Sequence, residues 1–162
     1  MIIIDDLFDP IPDFVYDEIV RWWELGSFHD NCDLAEALIA VAEDYFNLES
    51  AIGYENWAHN RPYEYPSLHV DKDERLYEEQ DILRHPLCSI IYYPSINNLK
   101  GGELVSPENW QVTPKQNRVV MFGPEVPHVV EDFTGHRISF MVNPWAVPVV
   151  QSSEDVLGKN TS

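Results

Sequence analysis

The sequence predicts an α+β protein in which N-terminal helices precede a mostly β unit of the sandwich or barrel type. The first part of the chain carries apolar side chains at helical spacing. From about residue 50, Pro, Asn and Gly separate short runs rich in β-branched and aromatic residues. A length of 162 residues suits one domain with its own core. We therefore expect one domain over 1–150, with helices within about 11–49, the β unit within about 50–146, and a flexible polar tail over 151–162.

One strand and one helix are expected before residue 27. Ile2–Ile4 is typical of a short strand. The segment Ile11–Leu25 has roughly helical apolar spacing, with Pro12 suited to the first turn and Gly26 to the end. This segment is therefore the first predicted helix.

A second predicted helix has the clearer pattern. Its apolar face consists of Leu34, Leu38, Val41, Ala42 and Tyr45. Asp33 is the expected N-cap, and Glu36, three residues later, completes a pattern like a capping box. Both helices need an apolar surface to cover, and one outer face of the β unit provides it.

Four runs of β-branched and aromatic residues are predicted strands of the β unit. They occupy 89–93, 118–122, 128–130 and 137–142. The stretch Asp73–Gln80 is too charged for a core and is expected to be an exposed helix or loop. Such a stretch acts either as a mobile lid or simply as a solvated surface.

The formal charge of −18 at pH 7 argues against nucleic acid as a partner, because the chain would repel phosphate backbones. A basic or neutral partner is easier to accommodate, and solubility alone is a sufficient reason for such a surface. The N-terminus lacks a basic n-region, and no apolar stretch approaches the ~20 residues of a membrane span, so we expect a cytoplasmic protein outside membranes. Cys32 and Cys88 are expected to be free, buried or half-buried thiols.

His69 and Asp71 are the first candidate metal ligands. Alternate side chains of a strand share a face, so an imidazole and a carboxylate two residues apart can hold one cation. His128, at the entrance of an apolar run, is the natural third ligand. Two histidines and one carboxylate are the donor set of non-haem Fe(II) enzymes and leave open positions for a co-substrate and O2. Zinc more often takes three or four ligands in a tetrahedron.

These residues also have ordinary interpretations. His-x-Asp triplets are frequent as surface polar pairs, and a lone histidine such as His128 is often a hydrogen-bonded strand residue. Arg137 lies in an apolar strand nine residues later, where a guanidinium needs an anionic partner. That partner is either the distal carboxylate of a dicarboxylic acid or one of the chain's many acids. The remaining histidines are assigned no metal: His29, His59, His85 and His136.

The segment from Tyr63 to Trp145 resembles the iron(II)/2-oxoglutarate-dependent dioxygenases, in particular the prolyl-4-hydroxylase-like branch. Six elements occur in the family's order: the His-x-Asp motif at 69–71, the strand ending in tyrosine at 87–93, the Gly-Gly-Glu-Leu turn and strand at 101–104, the strand at 114–122, the second histidine within 127–130 and the arginine within 135–139. The opening residues 2–8 also look like the usual entry into this fold. Each motif alone is weak, whereas six in order are specific.

The resemblance implies a double-stranded β-helix, or jelly roll, with supporting helices, forming a single 2-oxoglutarate/Fe(II) dioxygenase domain. It implies that His69, Asp71 and His128 hold Fe(II) and that Arg137 binds the C5 carboxylate of the co-substrate 2-oxoglutarate. These four residues are the expected catalytic residues.

The resemblance also implies two further co-substrate contacts. Tyr93 would donate its hydroxyl to the same carboxylate, and Ser139, which shares a face with Arg137, would assist it. Tyr92 would point to the opposite face, unless a one-residue shift in register exchanges the two tyrosines.

The implied reaction uses O2, releases succinate and CO2, and hydroxylates a peptidyl proline or an amino-acid-like small substrate. The segment 57–66 is expected at the substrate mouth, where five of its residues either line the opening or pack beside the barrel rim: Trp57, His59, Asn60, Arg61 and Tyr65. Two other classes stay open, a jelly-roll binding module without turnover and a metal-dependent cupin-type enzyme that does not use 2-oxoglutarate.

Overall fold

The structure is a computed structural model that describes residues 1–150, so the tail predicted over 151–162 lies outside the described residues. The elements, in chain order, are β1 (Ile2–Ile4), β2 (Arg21–Glu24), α1 (Cys32–Ala42), β3 (Gly53–His59), α2 (Glu74–Gln80), β4 (Ser89–Gly101), β5 (Leu104–Ser106), β6 (Trp110–Val112), β7 (Val119–Phe122), β8 (Val129–Val130) and β9 (Phe133–Trp145). The four predicted β runs all contribute to strands, and the charged stretch after Asp73 forms the helix α2.

Two antiparallel sheets form the β unit. The larger has the strand order β1-β7-β4-β9-β3-β2, and the smaller has the order β6-β5-β8. Every strand pair in both sheets is antiparallel, as expected for strands that do not need crossover helices. The mostly β, jelly-roll fold class predicted from the sequence is confirmed.

Strand alternation divides the side chains of the larger sheet between two cores. On β4, Ile90 and Tyr92 face α1, whereas Ile91 and Tyr93 face the smaller sheet. The outer core includes Leu38 of α1, and the inner core includes residues of both sheets. The molecule therefore has three layers, with the larger sheet in the middle.

The predicted helix over Ile11–Leu25 is wrong: this described segment contains no helix, and its end forms β2. Its backbone groups find tertiary partners instead. The side chain of Asn31 binds both the N–H and the carbonyl of Val15, at 3.0 and 2.8 Å. The carbonyl of Asp17 accepts a hydrogen bond from Ala58 N, at 2.9 Å. Distant contacts satisfy groups that a helix would have satisfied locally.

The apolar residues of this segment also do not share a buried face. Phe14 packs edge-on against Phe140, whereas Val15 and Ile19 are about half exposed, at 48% and 52%. Trp23 pairs with Tyr54 across β2 and β3. The apolar residues whose spacing predicted a helix therefore lie in an extended segment that crosses the edge of the larger sheet.

The second predicted helix is confirmed, with corrections at both ends. Asn31 rather than Asp33 is the N-cap, and its side chain makes no cap hydrogen bond because Val15 engages it. The helix ends at Ala42, so Tyr45 lies beyond it and is half exposed. Leu34, Leu38 and Ala42 are buried as predicted.

The structure also describes both cysteines and the lengths of the helices. Cys32 and Cys88 are both free and buried, as expected. Within residues 1–150, no helix combines the length and the apolar character needed to cross a bilayer. The longer of the two helices, α1, has 11 residues.

Candidate metal centre and cavity

His69 and His128 lie opposite each other in an isolated antiparallel β-bridge. His69 N donates to His128 O at 3.1 Å, and His128 N donates to His69 O at 2.9 Å. The predicted strand around His69 is wrong in extent, since this bridge is its only ladder pair within the described residues. The side chains of His69 and Asp71 nevertheless lie close together, as the sequence predicted. Asp71 Oδ1 lies 3.5 Å from His69 Nε2 and 3.4 Å from His128 Nε2.

The same nitrogen of each imidazole faces the carboxylate. His69 Nδ1 lies 2.9 Å from the carbonyl of Ser67, and His128 Nδ1 lies 2.9 Å from the carbonyl of Val126. A carbonyl accepts a hydrogen bond, so each Nδ1 carries the proton and each Nε2 keeps a lone pair. Nitrogen donors held in this way are typical of metal-binding histidines.

Two side chains from the larger sheet hold the far oxygen of Asp71. Ser89 Oγ donates to Asp71 Oδ2 at 2.6 Å, and Asn143 Nδ2 donates to it at 3.2 Å. Oδ1 is left facing the imidazoles. Burial opposes the charge of this carboxylate, but the nearby imidazoles of His128 and His69 and the hydrogen bond from Ser89 hold the pKa of Asp71 well below its usual range. The group is therefore an anion at neutral pH.

The three donor atoms fit a metal ion by position and by chemistry. They lie within 4.8 Å of one another, close enough for one ion to contact all three. Two neutral nitrogens and one carboxylate oxygen match the facial triad of non-haem Fe(II) sites. Within residues 1–150 no other cluster of this kind occurs, and the four histidines assigned no metal stay outside it.

A cavity of about 320 Å³ opens beside this triad, between the two sheets. The larger sheet contributes Trp57, Ile91 and Met141 to its wall, and the smaller sheet contributes Leu104 and Val130. Arg137 and Ser139 also line it. A mostly apolar wall with a few polar groups is typical of a small-molecule site.

Arg137 is buried at 1% exposure, although its side chain carries a full charge. The guanidinium carbon lies 5.4 Å from the ring centre of Tyr93 and 5.3 Å from that of Phe133. Nη1 reaches Ser139 Oγ at 3.4 Å. No ion pair among the described residues involves Arg137, so the alternative of an internal carboxylate partner finds no support in residues 1–150. A buried guanidinium in this state calls for an anion.

The two neighbouring tyrosines face opposite sides of the sheet. Tyr92 points towards α1 and donates its hydroxyl to Asn117 Oδ1 at 2.7 Å. Tyr93 points inward, beside Arg137, and its buried hydroxyl has no hydrogen-bond partner among residues 1–150. Burial raises the pKa of Tyr93, and the positive charge of Arg137 opposes the rise, so its hydroxyl is a neutral donor. The preference for Tyr93 over Tyr92 agrees with this orientation.

The predicted mouth residues divide into two groups. Trp57 and Tyr65 line the cavity, and Tyr65 is 84% exposed at its rim. Asn60 and Arg61 do not line it, and Arg61 pairs on the surface with Glu18 at 3.2 Å. His59 lies behind the rim, where its ring stacks on Tyr63 at a centroid distance of 4.0 Å.

Sequence reasoning missed three residues of this site. Ser89 and Asn143 hold Asp71, and Tyr63 lines the cavity. The spacing of Ser89 and Asn143 could have indicated their position. Ser89 precedes Tyr93 by four residues and Asn143 follows Arg137 by six, and an even spacing along a strand places both members of a pair on one face. No spacing, however, indicated that both would reach Asp71.

A scan against protein-family models and a search of curated proteins find no match for this sequence. Solved structures do match. A prolyl-4-hydroxylase from Pseudomonas putida is 19% identical, with a TM-score of 0.54, over 78% of this chain and 67% of that one. IDO from Bacillus thuringiensis is 18% identical, with a TM-score of 0.47, over 72% of this chain and 59% of that one.

A third similar structure is a truncated form of the viral collagen prolyl hydroxylase vCPH from Paramecium bursaria Chlorella virus-1. It is 15% identical, with a TM-score of 0.43, over 78% of this chain and 75% of that one. At 19% identity, the likeness to the bacterial prolyl-4-hydroxylase concerns the fold alone. The resemblance read from the sequence is thereby confirmed at the level of architecture: the chain has a prolyl-4-hydroxylase-like jelly-roll fold.

Proposed function

We propose that the protein is an Fe(II)- and 2-oxoglutarate-dependent dioxygenase. It hydroxylates a peptidyl proline or an amino-acid-like small substrate and releases succinate and CO2. The observation that carries this proposal is the triad of His69, Asp71 and His128, in which both Nε2 atoms and one carboxylate oxygen face one another beside a cavity. Iron(II) held there supplies the redox chemistry that couples 2-oxoglutarate decarboxylation by O2 to hydroxylation.

The residues around the triad keep its donors in the required states. The carbonyls of Ser67 and Val126 keep the protons on Nδ1 of the two histidines. Ser89 and Asn143 occupy the far oxygen of Asp71, so only Oδ1 is offered to the metal. A carboxylate ligand at this position favours hydroxylation over halide transfer, which needs the position empty.

The buried end of the cavity suits the distal carboxylate of 2-oxoglutarate. Arg137 supplies the positive charge, and Tyr93 supplies a neutral hydroxyl donor. Ser139 Oγ lies 3.4 Å from Arg137 Nη1 and helps to orient the guanidinium. Because Arg137 is buried, a carboxylate would bind it more strongly than in water, and a molecule without a second carboxylate would leave the arginine unpaired.

The proposal is tested by anaerobic titration of the purified protein with Fe(II) and 2-oxoglutarate. We expect a weak visible metal-to-ligand absorption that appears only when both are present. Binding of Fe(II) without this absorption would favour a cupin-type enzyme that does not use 2-oxoglutarate, and binding of neither would favour a binding module. Succinate release in the presence of O2, screened against peptide and amino-acid pools, then identifies the substrate.

A further inference from the structure

Three strands of the larger sheet carry matched rows of side chains on the face that borders the cavity. By register and alternation, the rows are Glu55 with Asn143 and Ser89, Trp57 with Met141 and Ile91, and His59 with Ser139 and Tyr93. Directly paired residues of an antiparallel ladder point to the same face. His59, which pairs with Ser139, therefore lies on the same face of β3 as Glu55 and Trp57, behind the rim of the cavity.

The rows differ in how their polar atoms are satisfied. The first row holds Asp71 through Ser89 and Asn143. Around the third row lie the buried side-chain atoms that have no hydrogen-bond partner within residues 1–150: His59 Nδ1, Tyr93 Oη and Arg137 Nε. Each comes from a different strand. Unpaired buried polar atoms are rare in folded proteins, so three around one row indicate a shared ligand.

His59 is held in place by contacts that leave Nδ1 unused. Its ring stacks on Tyr63 with an interplanar angle of 10°. Its carbonyl lies 3.5 Å from Ser139 Oγ, the same atom that contacts Arg137. Burial, together with the positive charges of Arg137 and Arg61, lowers the pKa of His59, so the imidazole is neutral at neutral pH. A neutral imidazole can carry its proton on Nδ1 and donate it to an acceptor.

We infer that His59 is a third donor to the distal carboxylate of the co-substrate, beside Arg137 and Tyr93. The inference rests on the proposed function and adds a residue to it. A carboxylate has two oxygens and about four acceptor positions, enough for all three donors. One carboxylate would thus satisfy the guanidinium, the phenol and the imidazole together.

The test compares two co-substrate probes on shape-matched variants. His59→Phe keeps a ring to stack on Tyr63 and removes Nδ1, whereas His59→Asn places an amide N–H near the position of Nδ1. Asn60→Ala, at an exposed neighbour of His59 that does not line the cavity, controls for changes at the rim. Dissociation constants are measured anaerobically on the Fe(II)-loaded protein for 2-oxoglutarate and for pyruvate, which has the same chelating end but no distal carboxylate.

We expect His59→Phe to weaken 2-oxoglutarate binding roughly ten- to hundredfold, the range for a hydrogen bond to a charged group. Pyruvate binding and Fe(II) affinity should stay within about twofold of the wild type, because neither depends on a contact at the distal carboxylate. His59→Asn should recover most of the loss, and Asn60→Ala should behave like the wild type.

An unchanged 2-oxoglutarate affinity in His59→Phe would overturn the inference while leaving the proposed function intact. Equal weakening of both probes would also overturn it, because the effect would then lie in packing or at the metal. A wild-type protein that binds Fe(II) but not 2-oxoglutarate would overturn the proposed function itself. Thermal unfolding of each variant shows whether it is folded before binding is compared.

Discussion

The two faces of the larger sheet differ in composition although they share the same strands. The outer face packs apolar side chains such as Ile90 and Val142 against α1, and its buried Tyr92 hydroxyl is hydrogen-bonded. The inner face carries Arg137 and Tyr93, each with a buried polar atom that lacks a hydrogen-bond partner in the described part of the chain. Because successive side chains of a strand point to opposite faces, a residue that stabilises the outer core can be the direct neighbour of a residue that serves the site. Apolar burial on one side offsets the cost of burying these polar groups on the other.

Replacement of Asp71 should give the largest loss on the inner face. Asp71→Ala removes the anionic ligand and should abolish metal-dependent turnover, measured as succinate release at saturating Fe(II). As a graded control, Ser89→Ala keeps the ligand but removes the hydrogen bond to Oδ2, and should weaken metal affinity about tenfold or more. Full activity of iron-saturated Asp71→Ala would contradict the ligand assignment.

Replacement of Arg137 should separate co-substrate binding from stability. Arg137→Ala should raise the KM for 2-oxoglutarate about a hundredfold or more, since it removes the cation that pairs with a buried carboxylate. The free energy of unfolding without co-substrate should not fall, because a buried charge without a carboxylate partner is removed. Steady-state kinetics and chemical denaturation measure the two effects. An unchanged KM would mean that a residue other than Arg137 binds the distal carboxylate.

A cavity created in the outer core should lower the free energy of unfolding and leave ligand binding unchanged. Leu38 of α1 is fully buried, so Leu38→Ala should lower the free energy of unfolding by about 2–5 kcal/mol. Metal and co-substrate affinities of the folded protein should not change. Tyr45→Ala is the surface control, because Tyr45 is half exposed, and its effect should stay within about 0.5 kcal/mol. Weaker metal binding in folded Leu38→Ala would mean that the two faces are coupled.

Competition between protons and the metal ion for His69 should give the smallest effect. The Asp71 carboxylate raises the pKa of His69, although burial opposes the rise. A raised pKa means that the imidazole gains a proton already at pH values above the ordinary ~6.5, and the metal must displace that proton. Metal affinity should therefore fall by about tenfold for each pH unit below the raised pKa. Isothermal titration across the neutral range measures it, and a flat profile would exclude His69 as a ligand.

Sequence reasoning was most reliable where one local pattern determined the outcome. The β-branched and aromatic residues of 89–93 and 137–142 predicted the strands, and the two-residue spacing brought His69 and Asp71 together. The preference for Tyr93 over Tyr92 came from the family resemblance. It failed where a distant partner decided the conformation. Residues 11–20 lack a helix because Asn31 and Ala58 bind their backbone, and no local pattern reports such partners.

The bridge between His69 and His128 links metal content to local order. Within residues 1–150, two backbone hydrogen bonds join His69 to His128. An ion bound by His69, Asp71 and His128 would add a further link between the same two segments, and a ligand that binds only this paired arrangement stabilises it by mass action. The amide hydrogens of His69 and His128 should therefore exchange with deuterium more slowly as metal is added, whereas those of α1 should not respond.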